Sequence, residues 1–306
     1  MSKENSTRLA IDPAAPAEVM RKTYDSYFAS QDYKRRYPSP NQSTLQFLLD
    51  HGQAASAKSI LDVGCGDGRY ALALLDATAA NITGCDISSG ALHEFSAQLA
   101  TRLDAKRVTL IHSTVEALEP SANANNEPDL RHDLSLLLFG VLSHAGDQAA
   151  RLAMLKAVLR QTKPEGRLLL TVPNIWRRWP IELLQQLGQR LGQQLGQRRA
   201  RSETNNLQFG DMTYCRVIDG QEQTFFYHLY SLGRLRQELD LAGWSIQTVQ
   251  AESVLPEWMV TQYRWIGRLD NLVRPLLPAS LGYGISVVAR IKSQRQEPSK
   301  QTGNNG

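Results

Sequence analysis

The segment Ile60-Leu61-Asp62-Val63-Gly64-Cys65-Gly66-Asp67-Gly68-Arg69-Tyr70 constrains this chain more than any other. A short apolar run reads as a buried strand, three alternating glycines read as a tight turn, and Arg69 to Leu75 continues as a helix. A turn without Cβ atoms lets the backbone approach a ligand closely, and the helix that follows turns its N-terminal N–H groups toward the same place. The same strand-then-helix alternation continues along the chain. Strands are expected at Lys58–Val63, Asn81–Ile87, Arg107–His112, Asp133–Phe139 and Arg167–Val172, the last stopped by Pro173. Ser88 sits at an N-cap, and Leu92, Phe95, Leu99 and Leu103 follow at helical spacing; Leu152, Leu155 and Leu159 mark another helix. Later come a helix over 231–242, with Leu232, Leu235 and Leu239 inward and Gly243 as its stop, and strands at Ser245–Gln250 and Gly284–Ile291. Repeated β-α-β units with continuous apolar strands predict an α/β fold, a mostly parallel sheet with helices on both faces.

The composition agrees. The 306 residues are 42% apolar and 21% charged, as in ordinary globular chains. Three cysteines, Cys65, Cys85 and Cys215, are odd in number and lack CxxC spacing, which argues against a disulfide framework or a structural zinc site. No metal is expected, and a reducing cytoplasm fits best. The densest apolar stretch, Leu134 to Leu142, is about half of the ~20 residues a membrane span needs. The first residues, MSKENSTRLAIDPAAP, lack the apolar core of a secretory signal. The net charge of +4 is a local matter, because residues 177–201 hold six arginines against one acid, Glu182.

Asp86 lies 22 residues after Gly64, at the end of the second strand, where a carboxylate can hold both ribose hydroxyls of a nucleoside. Two kinds of cofactor fit such a unit. A dinucleotide fold requires GxGxxG with the pyrophosphate on the helix N-terminus. Here the spacing is GxGxG, and Asp62 precedes the first glycine by two residues, where it would repel a pyrophosphate. That carboxylate suits a ligand with an ammonium group and no phosphate, as in S-adenosylmethionine (SAM).

With DVGCGDG at 62–68 and GCDIS at 84–88, the chain resembles the class I, Rossmann-like SAM-dependent methyltransferases. The resemblance extends to DLSLLLFGVLSH at 133–144 and to Lys163-Pro-Glu-Gly166, which is similar to the family's turn before the fifth strand. It implies a seven-stranded sheet with the last strand, Gly284–Ile291, antiparallel. It also implies roles by position. Gly64, Gly66 and Gly68 would shape the turn under the methionine part of SAM, Asp62 would orient its amino group, Asp86 would hold the ribose and Ile87 would pack on the adenine. Phe139 would lie near the acceptor pocket. Thr114 stands where the family often has an acid that meets the adenine amino group; its hydroxyl and the backbone of Val115 would serve instead.

Methyl transfer from a sulfonium needs alignment and exclusion of water, and needs a base only for an acceptor proton of high pKa. His144, after the fourth strand, is the candidate catalytic base or else a loop hydrogen-bonder; His228 is a second candidate or a structural histidine. Tyr24, Tyr27, Phe28, Tyr33 and Tyr37 either cap the cofactor or pack the first helix. The division expected is a flexible N-terminus at 1–17, helices at 18–54 that serve as a possible lid, a methyltransferase domain at 55–292 with insertions at 174–228 and 252–283, and a disordered tail at 293–306. Within the first insertion, repeated Leu-Gly-Gln units at 187–198 suggest a marginal amphipathic helix. Its arginines, with Trp176 and Trp179, suit tRNA, an anionic membrane surface or plain solvent equally. The expected acceptor is a small metabolite or a lipid-linked molecule, methylated on O or N. The loop before Tyr227-His228-Leu229-Tyr230 is similar to tRNA wobble-uridine (carboxymethyl) methyltransferases, which keeps tRNA as an alternative. A non-catalytic SAM-binding regulator is a further one.

Overall fold

The structure is a computed structural model that describes residues 16–30, 32–119, 131–176, 209–218 and 220–292. The tails at 1–15 and 293–306, most of the expected loop at 119–131 and the leucine-glutamine repeat therefore lie outside the described residues.

A helical entrance of α1 (Pro16–Ala29), α2 (Asp32–Arg36) and α3 (Gln42–Asp50) leads into β1 (Ser59–Val63). Then α4 (Arg69–Ala77), β2 (Asn81–Asp86), α5 (Ser89–Leu99), β3 (Val108–His112), β4 (His132–Leu137), α6 (Val141–His144), α7 (Gln148–Gln161) and β5 (Thr162–Pro173) alternate. Beyond a hairpin of β6 (Asp211–Ile218) and β7 (Gln221–His228) come α8 (Leu232–Leu241), β8 (Trp244–Ala251), α9 (Glu257–Gln262), α10 (Arg264–Val273) and β9 (Gly284–Ile291). The sheet has seven strands in the order β3-β2-β1-β4-β5-β9-β8. Within it β9 alone runs opposite to the other six strands. This is the class I methyltransferase fold expected from the sequence.

The apolar strands explain the layering. Successive side chains leave opposite faces of a strand, so Ile60 and Leu134 join Phe47, Leu74 and Phe95 under α3, α4 and α5. Leu61, Val63 and Leu137 join Leu155, Leu235 and Trp244 under α7 and α8. The order reverses beside β1, which pairs with β2 on one side and β4 on the other. A crevice opens there, at the carboxyl ends of the strands, where ligands of open α/β sheets bind.

Two local expectations change, and the two insertions prove to hold structure. Leu103 is fully exposed, because α5 ends at Leu99 and the chain turns through Arg102, which bonds Asp104 and Asp76. Lys163–Gly166 is not a turn ahead of β5 but a bulge inside it, since His132 pairs with Thr162 and Leu134 with Arg167. The stretch before α8, read in the sequence only as part of an insertion, holds the antiparallel hairpin β6–β7. The sequence signal for it is Asp219-Gly220, a strong hairpin dipeptide, with Gly220 at φ +78°. The insertion at 252–283 folds into α9, α10 and two short 3-10 turns.

One buried ion pair locks the second face. Arg151 on α7 and Glu238 on α8 are both inaccessible to solvent and meet at 3.0 Å. Tyr230 Oη donates to Glu238 at 2.9 Å, Arg234 Nε donates at 3.0 Å, and Arg151 Nη1 donates to the Gly146 carbonyl at 2.9 Å. Glu238→Ala would strand the Arg151 charge in the core. We expect a loss of about 3–5 kcal/mol in urea unfolding, whereas an exposed neighbour such as Asp240→Ala should change stability by about 0.5 kcal/mol or less.

Candidate functional site

The glycine turn is shaped by what lies against it. Gly64, Gly66 and Gly68 all take positive φ, from +57° to +80°, which L side chains adopt only with strain. A Cβ on Gly68 would fall 2.2 Å from the Phe95 ring, and one on Gly64 would fall 2.5 Å from Val141. These two glycines let α5 and α6 approach the turn. Gly66 is different: its missing Cβ faces Phe28 of α1 at 3.2 Å across the crevice, and its N–H donates to Asp86 Oδ2 at 2.8 Å. Asp86 Oδ1 accepts from the Ser88 N–H at 2.8 Å, so one carboxylate ties the turn after β1 to the start of α5.

Around this turn lies a cavity of about 390 Å³. It gathers Asp62, Gly64, Gly66, Asp86, Ile87, Thr114, Val115, Phe139 and His144 from four separate chain segments. Of the residues singled out in the sequence for this site, Gly68 is the exception. It does not line the cavity; it packs on Phe95 and starts α4. His228 is also elsewhere. It is fully buried, with Nδ1 2.5 Å from Asp211 Oδ1, and does not line the cavity.

The aromatic N-terminal segment both lines the cavity and packs the first helix. Met20, Tyr24, Phe28 and Tyr33 wall the cavity. Met20, Tyr27, Phe28 and Tyr33 also pack with Ala91 of α5 and with Phe225 and Phe226 of β7. Asp25 fastens α1 to the site by accepting from Ser88 Oγ at 2.7 Å and from the Gly90 N–H at 3.2 Å.

Two buried charges face the cavity. Asp62 is 3% exposed. Burial, with the nearby Asp86 carboxylate adding to it and Arg69 opposing, pushes its pKa up to about 7. Arg69, at the start of α4, carries the opposite charge and was not singled out in the sequence. It pairs with Glu257 of α9 at 3.0 Å and stacks 4.6 Å from the Phe139 ring. Its Nε and Nη2 are buried with no hydrogen-bond partner among the described residues. A guanidinium left with unsatisfied donors is costly, so an anionic ligand there is favoured. Phe139 is held at φ +56°, an unusual backbone state for a bulky residue. Its N–H donates to Thr171 Oγ1 at 2.7 Å.

His144 has both ring nitrogens engaged. Nδ1 lies 2.9 Å from the Phe226 carbonyl and Nε2 lies 2.8 Å from Tyr24 Oη. A carbonyl only accepts, so in the neutral ring Nδ1 carries the hydrogen and Nε2 accepts from the Tyr24 hydroxyl. Among the described residues there is no cluster of side chains able to hold a metal ion.

Residues 60–166 match the family described as a methyltransferase domain. Solved structures share the fold. The chain is similar to the 1,6-didemethyltoxoflavin-N1-methyltransferase of Burkholderia thailandensis, solved with bound 1,6-didemethyltoxoflavin and S-adenosylhomocysteine, at TM-score 0.57 and 17% identity over 94% of each chain. It is similar to the CcbJ methyltransferase of Streptomyces caelestis at TM-score 0.56 and 13% identity, over 92% of this chain and 100% of that one. For magnesium protoporphyrin IX methyltransferase of Synechocystis PCC 6803, with bound S-adenosylhomocysteine, the values are 0.56 and 15%, over 91% and 100%. No protein of curated function matches the sequence.

The raised Asp62 pKa has a measurable consequence. In the unfolded chain this carboxyl ionises near its ordinary value of 3.8, and in the folded chain at about 7. Its contribution to stability is therefore fully present below the lower value and is lost as pH rises through the upper one. Asp62→Asn removes that loss, so the variant should gain about 2–3 kcal/mol on the parent between about pH 5 and pH 8. Urea unfolding at the two pH values measures it; parallel pH profiles would mean that the carboxyl is not desolvated.

Proposed function

We propose that this class I methyltransferase domain transfers the methyl group of S-adenosylmethionine to an oxygen or nitrogen of a small, largely apolar metabolite or lipid-linked acceptor. The observation that carries this reading is one cavity that pairs a buried acid, Asp62, with a buried guanidinium whose Nε and Nη2 lack partners. An amino-acid zwitterion answers both. Its ammonium suits Asp62 and its carboxylate suits Arg69. Asp86, at the β2 end, supplies a carboxylate for the ribose hydroxyls, with Ile87 beside it for the adenine face. Thr114 and the buried Val115 complete the adenine side. The cofactor, when bound, supplies a methyl group already activated on sulfonium sulfur.

The chain's own residues then have three tasks. Gly64 and Gly66 keep the turn flat enough for close approach. Met20, Phe28, Tyr33, Phe139, Val141 and Met154 enclose the reacting end in apolar surface and exclude water. For an acceptor with a tightly held proton, Tyr24 Oη takes that proton while passing its own to His144 Nε2. The resulting imidazolium keeps its Nδ1–H on the Phe226 carbonyl. An acceptor that attacks as an anion uses the same walls without this relay.

A tRNA acceptor finds no support in the segment that suggested it. His228 and Tyr230 are buried, bonded to Asp211 and Glu238, and neither lines the cavity. The regulator reading rested on Thr114 replacing an acid, whereas the turn, the Asp86 anchor and the Tyr24–His144 pair are all in place.

Calorimetric titration with S-adenosylhomocysteine tests the reading. The parent should bind, and Asp86→Ala should weaken binding ten- to a hundredfold, as expected for losing a charged hydrogen bond of about 1.5–3 kcal/mol. A folded Asp86→Ala with unchanged affinity would remove the ribose assignment. With an identified acceptor, Tyr24→Phe and His144→Ala should each lower kcat by about a hundredfold or more while KM moves little.

A further inference from the structure

The helix α10 is mounted inside out. A surface helix ordinarily buries an apolar stripe and shows a polar face. Here the buried side is polar. Asp270 is 4% exposed and accepts from the Val254 and Leu255 N–H groups, each at 2.9 Å. Gly267 lies so close to the Val260 carbonyl that a Cβ would fall 2.7 Å from it. The outer side carries Trp265, Leu269, Leu272 and Val273, and Leu276 continues the row; Leu272 is 72% exposed and Leu276 81%. Positions 265, 269, 272 and 276 follow helical spacing, so this is one stripe rather than scattered residues. Among the described residues, most of the large exposed apolar side chains fall between Tyr263 and Leu281.

The charges beside the stripe indicate what covers it. Arg264 and Arg268 are both exposed and stand four residues apart on the adjoining face. The only acid of the helix, Asp270, is turned inward. Tryptophan and leucine on one face with arginine at its edge is the pattern of a helix lying in the headgroup layer of an anionic bilayer. The location also matters. The preceding helix α9 holds Arg69 through Glu257, its Thr261 carbonyl accepts from Ser39 Oγ, and Gln262 donates to the Arg35 carbonyl. The exposed stripe therefore follows directly on the helix that holds Arg69, a residue of the cavity wall.

We propose that α10 and the turn after it form a monotopic membrane-docking face for anionic phospholipid, which sets the cavity beside the bilayer surface. The proposal stands on the outer face of α10 and is independent of which acceptor is methylated.

Sedimentation of the full chain with vesicles tests it, using phosphatidylcholine alone and phosphatidylcholine with an equal part of phosphatidylglycerol. The parent should sediment with the mixed vesicles and far less with the neutral ones, and added salt should release it. The triple variant Trp265→Ser, Leu269→Gln, Leu272→Gln alters only exposed positions, so circular dichroism and S-adenosylhomocysteine affinity should stay unchanged while vesicle binding falls more than tenfold. Arg264→Gln with Arg268→Gln should erase the preference for the anionic lipid. A parent that stays in the supernatant overturns the proposal. So does a dimer in light scattering that the triple variant dissolves without any vesicle binding, since the face would then hold a second copy. Vesicle binding that survives the triple variant but is lost with Arg198→Gln, Arg199→Gln and Arg201→Gln overturns it as well, by moving the contact to the basic insertion.

Discussion

A buried guanidinium organises the entrance to this protein. Arg69 stands at the first position of α4, directly after the glycine turn, where no acid of its own helix neutralises it. Its charge is carried instead by Glu257 from the far end of the chain and by the rings of Phe139, Tyr70, Tyr37 and Tyr33. The turn after β1, the strained turn after β4, the N-terminal helices and α9 thus converge on one cation. Burying a charge is tolerated only when partners surround it. Two guanidinium nitrogens remain unsatisfied within this shell, and the cavity that Arg69 lines also holds Asp62, an acid whose pKa burial raises to about 7. The site is thus charged in a pattern that a ligand completes.

The sheet was legible in the sequence because its strands are buried on both faces and read as short continuous apolar runs. Ile60, Leu61 and Val63 left little alternative to a central strand. Ser88 was legible as a cap because its hydroxyl replaces a hydrogen bond the helix lacks, and it accepts from the Ala91 N–H. The glycine turn announced the site for the same kind of local reason. Leu103 misled because spacing alone does not say where a helix stops; the chain leaves the helix after Leu99 for reasons that involve Arg102 and its acids. The hairpin β6–β7 was missed although Asp219-Gly220 marks it, because the flanking strands alternate polar and aromatic residues only loosely.

What could not be read was the part made by distant contacts. Arg69 looked like the first residue of a helix; its partner Glu257 is 188 positions away in a segment expected only to be an insertion. Tyr24 and His144 are separated by 120 positions, and nothing local to either indicates the other. In the sequence His144 stood as the first candidate base and His228 as the second. Burial, the Asp211 contact and the cavity wall separate them, and each of these is a property of the folded chain. The inverted orientation of α10 is likewise invisible in one dimension, since its apolar spacing is the same whether the stripe faces the core or the solvent.

In the proposed function Asp62 and Arg69 together hold the charged end of the cofactor. If a cation comes to rest against Asp62, that carboxyl, which ionises at about 7 in the free protein, must give up its proton on binding below that value. Titration with S-adenosylhomocysteine in buffers of different ionisation enthalpy measures the protons exchanged. About one proton per ligand should be released near pH 6 and close to none near pH 8. Binding with no proton release at either pH would contradict it, and would place the ligand's ammonium away from Asp62.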